Sequence, residues 1–236
     1  MILDLISSLR DGADIRDVLP GILFTIIVVI FSLSMHEMAH AFASYKLGDP
    51  TARNLGRITL NPAKHLDPIG TISMMLFGFG WAKPVPANSR NFKKPRTGMA
   101  ITAAAGPLSN LLVSFVALLL YAIIITVAPI PIQLQPDASF ATKILYFLSE
   151  LIYYFHILNL YLAVFNLLPI PPLDGSKILY LFLPSKVYYF IQQYEHIIYY
   201  VLLALLFTGI LSTPLSLICR LISMGMIWLV QLIPGL

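Results

Sequence analysis

The chain has 236 residues, 58% of them hydrophobic and 11% charged, with a mean hydropathy of +0.83; a soluble domain averages about 45–50% apolar and about 25% charged. Fifteen basic and eleven acidic side chains are too few to coat even one water-facing domain, which disfavours a cytosolic enzyme, a nucleic-acid-binding protein and a disordered segment. The net charge of +4 is the basic excess that cytoplasmic loops give a membrane protein, and the single cysteine, Cys219, leaves no internal disulfide and no cysteine-based metal cluster.

Crossing about 30 Å of hydrocarbon takes about 20 apolar residues as a helix. Residues 1–18 are net acidic through Asp4, Asp11, Asp14 and Asp17 and lack the basic leader of a cleavable signal, so they form an extracytoplasmic segment. Five long apolar runs follow, at Leu19–Tyr45, Gly98–Ala128, Ala141–Leu168, Tyr188–Leu211 and Pro214–Ile233. The expected fold is an all-α polytopic membrane protein of about five transmembrane helices, and no internal repeat is found. Nine of the fifteen basic residues fall in the 46–97 connection, and Lys177 and Lys186 follow the third run. Both connections are therefore expected in the cytoplasm, whereas the Ala128–Phe140 connection has no basic residue and is expected outside.

The 46–97 connection holds an apolar stretch, Thr71–Gly80, that is too short to span and reads as a re-entrant or interfacial hairpin. Arg57–Leu60 alternates polar and apolar residues before the Asn61-Pro62 turn signal, which suits a short membrane-associated strand or an irregular surface loop.

The chemistry enters with His36-Glu37-Met38-Ala39-His40 inside the first run. Two imidazoles at i and i+4 lie about 40° apart around a helix and some 6 Å along it, so both can ligate one metal while the glutamate between them points toward the same site. Ionisable groups inside a membrane helix are penalised and need a compensating partner, and a metal answers that need for all three; histidines packed between helices and bridged by Glu37 are the alternative. A catalytic zinc site takes three protein ligands and leaves one position for water. Candidates for the third ligand are Glu150, His156, Asp174, Glu195 and His196. Topology puts Glu150 on the far side, His156 near the middle as an interhelical hydrogen-bonder, and Glu195 and His196 at an interface. Asp174 follows Asn166-Leu-Leu-Pro169-Ile-Pro171-Pro172-Leu. Three prolines in four residues break the third span, at the same expected depth as His36 and His40, and such breaks build binding sites in membranes. Asp174 as the cap of a following helix is the other reading.

HEMAH at 36–40, AAAGPLSNLL at 103–112 and NLLPIPPLDG at 166–175, in this order, resemble the site-2 protease family of intramembrane zinc metalloproteases. The GRITLNPAKHLDPIGT and GWAKPVP stretches resemble one compact prokaryotic, bacterial or archaeal, branch of it, without room for a PDZ or CBS domain. No helix is read before the one bearing the H-E-x-x-H. The resemblance implies a three-helix catalytic core within 19–184, with loop 46–97 and broken segment 169–175, followed by two further transmembrane helices in 185–236. It also implies one zinc ion on His36, His40 and Asp174, Glu37 as the base, and Asn166 holding the substrate or the oxyanion. Asn110 is a second candidate for that last role, or part of a small-residue helix interface with Gly106 and Ser109. Expected partners are the bilayer and a single-span membrane protein substrate unwound near the cytoplasmic leaflet, with no nucleic acid; an oligomer or regulatory partner is left open. His65 reads as a structural or solvated loop residue, and the tyrosines of 188–200 as an interfacial belt.

Overall fold

A computed structural model describes residues 2–77, 79–128, 131, 134–135 and 137–236; Gly78 and part of the 128–140 connection lie outside the described residues. The described residues form ten α-helices, α1 (Ile2–Arg10), α2 (Ile15–Lys46), α3 (Thr51–Asn54), α4 (Pro68–Phe77), α5 (Pro95–Val127), α6 (Phe140–Asn166), α7 (Asp174–Leu179), α8 (Ser185–Gln193), α9 (Glu195–Phe207) and α10 (Ser212–Gln231), two short 3₁₀ helices, Pro62–Lys64 and Ser89–Asn91, and no strand. The chain is thus an all-α polytopic membrane protein. Four helices are long and apolar enough to cross a bilayer: Val18–Lys46 of α2, α5, α6 and α10.

Local chemistry starts these helices where the sequence allows. The Asp14 carboxylate accepts the Arg16 N–H at 2.8 Å to open α2, Pro95 takes the first turn of α5, where its missing N–H costs nothing, and Ser139 Oγ accepts the Thr142 N–H at 3.2 Å at the start of α6. Lipid cannot satisfy polar side chains, so the bundle is polar within and apolar without. Ser32, Ser34, Asn110, Ser114, His156 and Asn159 are buried where α2, α5 and α6 meet, while Leu108, Leu112 and Val127 of α5 are exposed.

α10 packs on α5 and α6, antiparallel to α6. His156 Nε2 lies 3.1 Å from Ser223 Oγ, and Leu160 and Val164 cluster with Cys219 and Leu215, so each step of four residues down α6 is a step of four back along α10. His156 is the interhelical hydrogen-bonder expected, and also meets Ser114 Oγ at 2.9 Å; Cys219 is a packing residue.

Three local expectations change. No strand forms at Arg57–Leu60: Arg57 is buried and its Nη2 donates to the Lys83 and Pro84 carbonyls, so the segment is fixed through a side chain rather than a backbone ladder. A short helix, α1, precedes the motif helix and packs against it. The fourth apolar run is broken between α8 and α9, which are bent by 64°; Tyr194 stands at the break. Where a re-entrant or interfacial hairpin is expected at 71–80, α4 ends at Phe77 and the 79–88 stretch carries no helix or strand. Gly70 and Gly80 face each other there with no space for a Cβ on either, which is why backbone meets backbone.

Candidate metal centre and active-site cavity

Two turns of α2 present His36 and His40 to one side, and the proline-broken chain after α6 brings Asp174 round to meet them. All three side chains are buried. His36 Nε2 and His40 Nε2 are 3.0 Å apart, and Asp174 Oδ2 stands 3.1 Å from the first and 3.0 Å from the second.

The protons on these rings can be assigned from their other nitrogens. His40 Nδ1 lies 2.7 Å from the Thr102 carbonyl, which only accepts, so Nδ1 carries the hydrogen. His36 Nδ1 lies 2.6 Å from Asn110 Oδ1. The Asn110 amide is oriented because its Nδ2 donates to Asn159 Oδ1 at 2.7 Å and to the Ser32 carbonyl at 3.4 Å; Asn159 is in turn oriented by donating to the Phe155 carbonyl at 2.8 Å. Both histidines therefore turn Nε2 lone pairs toward each other and toward a carboxylate oxygen. With both rings neutral, three lone-pair donors at about 3 Å from one another form a set that could hold a cation. Bonds of about 2.0–2.1 Å in a tetrahedral zinc site place ligand atoms roughly 3.3 Å apart, close to what is found. His36, His40 and Asp174 thus fit zinc. Lys177 Nζ, 3.2 Å from Asp174 Oδ1, takes up the other carboxylate oxygen.

Two glycines make room for this arrangement. A Cβ on Gly106 would lie 2.6 Å from His36 Nε2 and 2.5 Å from His40 Cε1, so α5 approaches the rings only because no side chain intervenes. Gly175, next to Asp174, packs on the Leu167 and Leu168 carbonyls where the break folds back.

The three donors open onto a cavity of about 450 Å³, whose walls include Glu37, Asn166, Trp81, Val85, Tyr199 and Leu206. Glu37 and Asn166 therefore share one space with the three candidate ligands, and Asn166 Nδ2 donates to the Leu162 carbonyl at 2.9 Å. Asn110 does not face that space. It is fully buried behind His36 with both amide ends engaged, which corrects its candidacy for contacting substrate or the oxyanion. Of the other ligand candidates, His156 is held between helices, Glu195 and His196 are exposed at the start of α9, and Glu150 is on the remote part of α6. His65 is buried, with Nε2 2.7 Å from the Thr59 carbonyl; burial pushes its pKa down, against that hydrogen bond.

The loop side of the cavity is braced by residues that sequence reasoning passed over. The Arg57 guanidinium donates to the Lys83 carbonyl and, at 3.0 Å, to the Pro84 carbonyl, and the Lys83 N–H donates to the His65 carbonyl at 2.7 Å. Asp49 accepts from Ser44 Oγ, the Thr51 N–H and Oγ, the Asn88 N–H and Asn91 Nδ2 at 2.5–3.1 Å. Burial pushes its carboxyl up, but these hydrogen bonds outweigh burial and hold it below the usual carboxylate range. At the end of α4, Phe77 and Phe79 meet Phe207 of α9, at ring distances of 6.1 and 5.0 Å. Asn159 and Gly106 carry no sequence signal beyond being polar or small in an apolar run.

The peptidase family M50 model matches residues 24–209. The chain is 43% identical over 185 residues, 78% of its length and 80% of the relative's, to "Putative zinc metalloprotease YwhC" of Bacillus subtilis. It is 32% identical over 155 residues, 64% of its length and 71% of the relative's, to the like-named MJ0611 of Methanocaldococcus jannaschii. Rip2 of Mycolicibacterium smegmatis, with the same designation, is 29% identical over 151 residues, 62% of this chain and 52% of that one. No solved structure matches. The chain belongs to peptidase family M50, the site-2 protease family.

Proposed function

We propose that the chain is a zinc-dependent intramembrane endopeptidase that hydrolyses peptide bonds within or near the transmembrane segment of a single-span protein, with Glu37 as general base. The observation that carries this reading is the convergence of three potential metal-ligand atoms, from His36, His40 and Asp174, on a cavity that Glu37 also lines. His36, His40 and Asp174 would hold the zinc, which would supply Lewis acidity to a water and to the scissile carbonyl. Glu37 accepts the proton of the attacking water and returns it to the departing amine. Asn166, on the cavity wall, donates a hydrogen bond to the oxyanion. Asn110 and Asn159 hold the His36 ring and its tautomer from behind, the usual service of outer partners at a metal site.

A peptide bond in an intact helix is covered by its own turns, so the substrate must unwind and find new backbone partners. The 79–87 segment, which carries no helix or strand, supports strand addition: it lines the cavity through Trp81, Ala82 and Val85, and among the described residues the Ala82 and Val85 N–H groups make no backbone hydrogen bond. Basic residues gathered in the 46–97 connection support a site near the cytoplasmic side. The core within 19–184 carries every residue named in this mechanism, and 185–236 adds a wall of the cavity.

Zinc analysis of Glu37→Gln and Asp174→Ala proteins, with cleavage of a single-span reporter, tests the reading. Glu37→Gln is expected to keep zinc and lose cleavage by about 10²–10⁴-fold, and Asp174→Ala to lose zinc. Full zinc in Asp174→Ala rejects the ligand set, and undiminished cleavage by Glu37→Gln rejects the base. A reporter whose cleavage ignores helix-loosening Pro or Gly changes rejects the unwound substrate.

A further inference from the structure

Among the described residues that line the cavity, Lys177 is the one with a lysine or arginine side chain. Its Nζ stands 3.2 Å from Asp174 Oδ1, while Asp174 Oδ2 is the oxygen turned to His36 Nε2 and His40 Nε2. The two ends of this carboxylate thus have different neighbours: one faces the candidate metal position, the other an ammonium.

Local structure fixes that division. Asp174 opens α7 and Lys177 follows three residues later, so the two side chains are neighbours on one face of the helix. The backbone between them has little freedom. Gly175 is packed on the Leu167 and Leu168 carbonyls with no room for a Cβ, and Ser176 is buried, its Oγ donating to the Leu173 carbonyl at 2.7 Å. A solvent-exposed ion pair adds little to stability, and the Lys177 side chain is 43% exposed. What the contact decides is where the two oxygens of a buried carboxylate point.

That choice bears on coordination. A carboxylate can ligate through one oxygen or through both. A catalytic zinc site has three protein ligands and keeps one position for water, for which a second carboxylate oxygen would compete. Outer partners hold ligands in one orientation. His36 has Asn110 Oδ1 behind its ring and His40 has the Thr102 carbonyl, both from α5. Lys177 stands to Asp174 as those groups stand to the histidines.

We propose that Lys177 is a positioning residue of the active site: by holding Asp174 Oδ1 it confines the carboxylate to ligation through Oδ2 alone and so keeps the fourth position of the ion open for water. The proposal rests on ligation by His36, His40 and Asp174, as read above, and adds to it a residue that acts through Asp174.

The test uses the full chain in detergent micelles as parent, Lys177→Met and Lys177→Arg, loaded with zinc for X-ray absorption and with cobalt for visible spectra, since geometry at the ion is diagnostic. Methionine removes the donor and keeps the length of the side chain; arginine keeps a cationic donor. Parent and Lys177→Arg are expected to hold a four-coordinate ion with intense cobalt bands, and Lys177→Met to show one further oxygen at the ion and weaker bands. Reporter cleavage by Lys177→Met is expected to fall by about 10–100-fold, the ordinary effect of losing an outer partner, in kcat rather than KM, and Lys177→Arg to restore most of it. The proposal is overturned if Lys177→Met keeps the parent's spectra and kcat, which leaves Lys177 a solvated ion pair. It is overturned equally by a raised KM with unchanged spectra and kcat, which assigns Lys177 to the substrate, or by a loss of metal that Lys177→Arg does not restore. Asp174→Ala separates the two readings: full zinc there rejects the ligand set and the positioning role with it, whereas zinc lost there with Lys177→Met like the parent rejects the positioning role alone.

Discussion

Replacing Gly106 by alanine adds one methyl group where α5 faces the two histidine rings. That Cβ would stand 2.6 Å from His36 Nε2 and 2.5 Å from His40 Cε1, about 1 Å inside carbon–nitrogen and carbon–carbon contact. The displaced atoms belong to the ligand rings themselves, and metal sites tolerate errors of only about 0.2 Å in their bonds. Rotating the rings away also breaks their Nδ1 bonds to Asn110 and the Thr102 carbonyl; separating α2 from α5 instead opens the tightest part of the bundle. Either route degrades the site more than loss of an outer hydrogen bond does, so zinc affinity is expected to fall by about 100-fold or more, the upper end for outer-partner mutations. Gly225 of α10 has nothing within 4 Å of its own would-be Cβ, so Gly225→Ala is the control: it adds a methyl and a better helix former without touching the site. Both proteins are equilibrated at buffered free zinc, and metal per chain is measured with reporter cleavage. Wild-type zinc affinity in Gly106→Ala, with Gly225→Ala also unchanged, would refute the close packing of α5 on the ligands.

Asn110→Ala leaves the His36 Nδ1–H without its acceptor in a dry interior and is expected to weaken zinc binding by about 10–100-fold, read by competition with a chelator; Asn159→Ala acts in the same direction and more weakly, because it frees the Asn110 amide rather than removing it. Arg57→Leu releases the Lys83 and Pro84 carbonyls and is expected to keep zinc while raising KM for the reporter more than it lowers kcat. The Asp49 carboxyl, held below its ordinary value, stabilises the loop above about pH 4 and ceases to do so as pH falls toward its folded value. Limited proteolysis of the 79–91 region is therefore expected to rise steeply below about pH 4 in wild type, and Asp49→Asn to be more labile at neutral pH with a flatter response to acid.

Composition and periodicity were enough for an all-helical membrane protein, because the need to satisfy every backbone group in lipid leaves a long apolar run no other form. The candidate ligand pair of the H-E-x-x-H is equally legible, since the spacing of His36 and His40 is a property of one helix, and Pro169, Pro171 and Pro172 advertise a broken span through covalent geometry alone. Asp174 needed one further step, a topology counted from Lys and Arg. Orientation of the rings was not readable. Asn110, Asn159 and the carbonyls of Ser32 and Thr102 come from three different helices, and nothing local in those runs says which residues will meet. Gly106 reads as a generic small-residue contact until the rings are seen against it. The break between α8 and α9 was hidden because an apolar run specifies hydrophobicity and not straightness, and the strand expected at Arg57–Leu60 failed because alternation in a short loop says nothing about what the arginine will bind. Side-chain chemistry and helical spacing are local and travel with the sequence; the assignment of protons to Nδ1, the room for the rings and the direction of α10 depend on contacts between distant segments, which only the folded chain decides.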